Sequence, residues 1–202
     1  MVDLMNRIET ISRDFSCLCV PQKDILLYSG CRNCEDPRLH SLCAECMEEL
    51  SDSANLKAVY AEINVNFEGN TADFGFYKAE SRSLKTFLAD CNKAYVFAAT
   101  IGIGADRLIN KYSTLSPAKA VVIDGCATAA IECWCDHLCR EVFRVPEQER
   151  FSPGYGDLPL DMQPRILSYL DAGLNIGLSM TESMLLTPTK SVTAIVKKRT
   201  DS

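Results

Sequence analysis

Eight consecutive residues, Arg150-Phe151-Ser152-Pro153-Gly154-Tyr155-Gly156-Asp157, carry the richest chemistry in the chain. Proline lacks an N–H and glycine is conformationally permissive, so this segment continues neither a helix nor a central strand. It makes a shaped loop. That loop offers backbone donors, an aromatic face and a guanidinium fork, which suit a small ligand carrying a carboxylate. A plainer reading makes Arg150 a surface partner of Glu147 or Asp157 and the glycines mere turn formers.

Cysteine is the next residue type with chemical potential, at eleven copies. Cys31-x-x-Cys34 followed by Cys43-x-x-Cys46 has the outline of a four-thiolate metal site, but the gap of eight residues is short for one. Cys43 and Cys46 also fall on the apolar stripe of an expected helix, where a thiol serves as a small buried hydrophobe. Burial is the favoured reading. Gly102-x-Gly104 after an apolar strand has Arg107 where a dinucleotide turn needs its third glycine, so it reads as a plain strand-to-helix turn. His40 and His137 each stand alone on an expected helix, and no nucleophile triad is assigned. Asp136 and Arg140, four apart, read as a solvated pair, and Trp134 as packing.

Positioning these residues requires a fold, and 202 residues suffice for one with a sizeable core. The 47% apolar and 24% charged fractions are those of an ordinary soluble globular protein. The net charge of −6, with no basic cluster larger than Lys197-Lys198-Arg199, argues against nucleic acid as a partner. The start, Met1-Val2-Asp3-Leu4, lacks a signal-peptide pattern and no apolar run reaches membrane-spanning length. A cytoplasmic location with reduced cysteines and no membrane partner is expected.

Leu4, Ile8, Ile11 and Phe15 give residues 3–20 a helix-like pattern. Asp36-Pro37 supplies an N-cap and first helical position for a helix whose stripe runs Leu39, Leu42, Cys43, Cys46, Met47, Leu50. Alternation from Lys57 to Phe67 predicts a strand, Glu68-Gly69-Asn70 a turn, and Phe74–Tyr77 the returning strand. A short helix follows over Ser83–Cys91, then a buried strand over Ala94–Ile101 and a helix over Ala105–Tyr112. A long helix from Ser116-Pro117 to about Arg144 is rich in small residues, which fits a central position. After the loop, a helix near Asp161–Leu170 stops at Ala172-Gly173, with strands at Asn175–Met180 and Ser191–Val196. This order predicts an α+β fold with a mainly antiparallel sheet and packed helices. Residues 1–55 are expected to form an N-terminal helical segment and residues 56–202 the α+β domain, unless 1–202 is continuous.

From Ala94 to Val196 the chain resembles the activation domain of cobalamin-dependent methionine synthase, in a free-standing form. The resemblance lies in Ala98-Ala99-Thr100-Ile101-Gly102, in Ala129-Ala130-Ile131-Glu132, in Arg150-x-Ser152-x-Gly154-Tyr155, and in Thr181-Glu182-Ser183 with Pro188 and Ser191-Val192. It departs from the synthase pattern at Gly156-Asp157-Leu158-Pro159, where a proline-rich stretch would stand. The resemblance implies a protein that binds S-adenosylmethionine and docks on a corrinoid-binding methyltransferase whose cobalamin is reductively methylated. Arg150 would hold the carboxylate, Glu132 would answer the ammonium or the sulfonium, and Ser152 would offer its backbone. Gly154 would permit close approach, and Tyr155 would stack on adenine or face the sulfonium. The alternatives are a binding or assembly subunit that no longer takes S-adenosylmethionine, or a metal protein using Cys31, Cys34, Cys43 and Cys46.

Overall fold

The computed structural model describes residues 7–89 and 91–198; Leu4 of the expected N-terminal pattern and Arg199 lie outside them. Its centre is a four-stranded antiparallel sheet in the order β1 (Ile8–Arg13), β2 (Leu56–Asn64), β6 (Lys93–Thr100), β9 (Ser191–Lys197). The two central strands are buried on both faces, which explains the nearly unbroken apolar run of β6.

One face, with Ala58, Phe97, Ala99, Ala194 and Val196, packs against α1 (Gln22–Tyr28), α2 (Pro37–Ser53), α4 (Gly104–Leu115) and α5 (Pro117–His137). The other, with Val59, Ala61, Ile63, Val96, Ala98 and Ile195, packs against α3 (Arg82–Leu88), α6 (Met162–Tyr169) and α7 (Ala172–Ile176). Period-two alternation thus sends alternate residues into two separate cores. Small sheets formed by β3 (Asn66–Glu68), β4 (Thr71–Asp73) and β5 (Lys78–Glu80), and by β7 (Ser179–Met180) and β8 (Leu186–Thr187), complete the fold.

The helix boundaries follow local chemistry. Asp36 accepts from the Arg38 amide at 2.9 Å and Pro37 opens α2, as the sequence predicts. Cys43, Cys46 and Leu50 of its stripe are buried. On α5 the small residues serve close packing: a Cβ on Gly125 would sit 2.1 Å from Ser29 Oγ and 2.9 Å from the Ser29 nitrogen. Trp134 is wholly buried and donates its indole N–H to the Lys57 carbonyl at 3.1 Å, fixing α5 to β2. The helix continues into one wide turn over Leu138–Val142.

Expectations give way in three places. Residues 8–13 form an edge strand, because β2 offers an open ladder and the isoleucines at positions 8 and 11 mimic helical spacing. The return strand of the hairpin is Thr71–Asp73; Phe74–Tyr77 is a tight turn, closed by a Phe74 N–H to Tyr77 carbonyl bond and by Asp73 accepting from the Gly75 amide. Gly173 does not stop the chain but lies inside α7, which Gly177 ends with a φ of +69°, so α7 takes Asn175 and Ile176 and the expected strand over Asn175–Met180 shrinks to Ser179–Met180.

Candidate functional site

Glu132 and Asp136 are four apart on α5 and therefore share a face one turn apart. Two carboxylates so placed repel. Arg150, arriving from the loop beyond the wide turn, resolves this: its two terminal nitrogens donate one to Glu132 Oε2 and one to Asp136 Oδ1. The Arg150 side chain is 11% exposed, Asp136 19% and Glu132 40%, so the cluster opens on the Glu132 side. Burial works against the Arg150 charge, but Cys135, Asp136 and Glu132 outweigh it and hold the guanidinium above its ordinary pKa. Asp136 also accepts from the Gln148 amide at 3.1 Å, which anchors the start of the loop. From α1, Tyr28 and Asp24 face this cluster: burial raises the Tyr28 pKa first, with Glu132 and Asp24 adding to it.

The expected Asp136–Arg140 pair does not form; Arg140 joins Glu141 and Glu147 instead. Neither Glu147 nor Asp157 is the partner of Arg150.

The loop is fixed at both ends. Phe151 exchanges N–H and carbonyl bonds, both 2.8 Å, with Ile195 on the outer edge of β9. Beyond it, Ser152 is half-buried and its carbonyl accepts from the Tyr155 amide at 3.1 Å. Gly154 has a φ of +84°, reachable only at a cost by other residues. Tyr155 is 69% exposed, its ring edge-on to Phe151 at 5.3 Å between centroids. Asp157 closes the far end, accepting from the Ser81 hydroxyl and from the Arg82 and Ser83 amides at 2.9 and 3.1 Å. These bonds, the Ser81 hydroxyl first, hold its carboxyl well below the usual carboxylate range. Asp157 thus satisfies first-turn amides of α3 that the helix itself leaves unpaired.

The structure therefore brings Glu132, Arg150 and the Ser152–Tyr155 bend into one region, and adds Asp136, which sequence reasoning gave to Arg140. Thr181 and Ser183, hydroxyl to hydroxyl at 2.9 Å, form a turn between β7 and β8 that Gln163 ties to α6 through the Met184 carbonyl. The four cysteines of the two CxxC pairs sit elsewhere. Cys43 and Cys46 are buried on α2, with burial pushing the Cys46 thiol up to about 11, while the Cys31 thiol faces the Ser29 carbonyl at 3.5 Å. Among the described residues no group of three or more His, Cys, Asp or Glu side chains is placed to hold a metal ion.

No family model matches the sequence, and no curated protein matches it. Among solved structures the chain is similar to the MetH reactivation domain, crystallised bound to AdoHcy, with a TM-score of 0.74 over 98% of this chain and 80% of that one. Sequence identity is 15%. No helix among the described residues is long and apolar enough to cross a membrane. With its helix-flanked antiparallel sheet extending over nearly the whole chain, this protein has the fold of the MetH reactivation domain.

Proposed function

We propose that this chain binds S-adenosylmethionine and supports reductive methylation of a corrinoid carried by a partner methyltransferase, such as a methionine synthase. The supporting observation is the Glu132–Arg150–Asp136 cluster beside the Gly154–Tyr155 bend, in a fold whose solved relative was crystallised with AdoHcy. When bound, S-adenosylmethionine supplies an electrophilic methyl group, and the partner's cobalamin would be its acceptor.

The residues fit such a ligand, with one revision of roles. The Arg150 fork is engaged by two carboxylates, so it acts here as the clamp that holds them in place. Glu132 Oε1 and Asp136 Oδ2 take no part in those bonds and would face the ammonium or the sulfonium. Tyr155 presents an open ring face for adenine or for the positive sulfur, a contact of about 0.5–2 kcal/mol. Ser152 and Gly154 supply backbone at close range. No acid, base or nucleophile is needed of this chain; it binds and orients.

Calorimetric titration of the full chain tests this. S-adenosylmethionine should bind saturably, and Glu132→Gln should weaken it at least tenfold without unfolding the protein. Binding of S-adenosylmethionine should exceed that of AdoHcy, which lacks the sulfonium charge. A folded wild-type chain that binds neither would overturn the reading. The ion-paired state of Arg150 favours a second reading, an assembly subunit without the ligand, because the expected carboxylate anchor is already occupied.

A further inference from the structure

A cavity of about 540 Å³ lies away from that cluster, between the end of α2, the start of β2, the turn from β6 into α4, and the end of α7. Its size is that of a small-molecule site, for which about 300–1,000 Å³ is usual. Its walls carry Lys57, Arg107 and Lys111, and none of its lining residues is acidic. In a chain of net charge −6 that is a local reversal of sign.

Buried or half-buried cations elsewhere have carboxylate partners: Lys119 has Glu45 and Glu49, Lys190 has Asp124, and Lys197 has Glu149, whereas here Lys57 is half-buried and Arg107 exposed. Lys57 and Arg107 make no ion pair among the described residues. Asp106, next to Arg107, is committed to Thr189, accepting from its hydroxyl at 2.6 Å and its amide at 3.2 Å. Lys111 is exposed, its ammonium 3.3 Å from the Tyr112 hydroxyl. The apolar wall comes from Leu108 and Ile176. Gly104 lets the start of α4 pack against the end of α2 in the cavity wall: a Cβ there would lie 2.0 Å from the Ser53 carbonyl oxygen.

We infer that this cavity binds a small organic anion, its phosphate or carboxylate held between Lys57 and Arg107 and its apolar body against Leu108 and Ile176. A guanidinium fork with a neighbouring ammonium suits either anion. The inference stands apart from the S-adenosylmethionine reading, since it shares no residue with that site.

Phenyl phosphate and benzoate, titrated separately into the full chain at constant ionic strength, distinguish the two anions. Amide resonances of Gly102, Gly104 and Arg107 should move saturably with at least one of them, and not with benzyl alcohol. The double variant Lys57→Gln/Arg107→Gln should weaken binding at least tenfold while melting as the wild type does. Linear, non-saturating shifts with both anions would refute the inference. So would equal response to benzyl alcohol, or undiminished binding by the folded double variant.

Discussion

Asp157 is the residue whose role the sequence concealed most, since it acts by bonding to the start of α3, which lies some seventy-five residues earlier. Asp157→Asn should raise amide exchange at Tyr155 and Leu158 at least tenfold, measured by hydrogen exchange at neutral pH, with or without any ligand. The pH dependence has a definite sign. A carboxyl held below its ordinary value of 3.8 contributes stability that is complete above that value and fades as pH falls from there towards its lower folded pKa. Exchange protection of Leu158 should therefore be flat from pH 7 to about 4 and collapse only in stronger acid. At Arg150 the expectation is larger. Arg150→Ala strands two carboxylates on one helix face and should cost about 3 kcal/mol in chemical denaturation.

At the scale of elements, α5 governs both packing and site, because the helix that bears Glu132 and Asp136 also bears Gly125 against α1. Gly125→Ala adds a methyl into the Ser29 backbone, and overpacking of about 2 kcal/mol should lower the melting temperature by about 4–8 °C, despite the gain in helix propensity. Much of this level was legible. The α2 cap, the buried β6 and the small-residue helix follow from short-range chemistry that a sequence displays openly. The edge strand β1 was not, because an exposed strand shows little alternation and its identity depends on β2, over forty residues away. The Asp136–Arg150 pair escaped for the same reason. Arg140 at four residues is the local candidate, and only the wide turn after α5 brings Arg150 nearer. The shaped loop was legible in its own residue types and Glu132 only through family resemblance, and neither carried the occupied state of the guanidinium.

For the whole molecule, the sheet places a helical layer on each side, and within the N-terminal segment the described residues 7–55 contribute β1 together with Ile25, Leu26, Cys43, Cys46 and Leu50 to one of the cores. We propose that they fold with residues 56–202 as a unit. A chain of 56–202 alone should then lose cooperative thermal unfolding and expose apolar surface to a fluorescent dye, whereas a separable annex would leave the transition intact. The bridge from Phe151 to Ile195 has a consequence for timing. Ser152–Gly156 lies between that stitch and Asp157 and is braced within by the Tyr155 amide on the Ser152 carbonyl and the Gly154 amide on the Leu158 carbonyl, so an incoming molecule should meet a bend already in its final shape. Association measured by stopped flow should accordingly run as a single exponential whose rate climbs linearly with concentration, without the plateau that a slow opening step imposes.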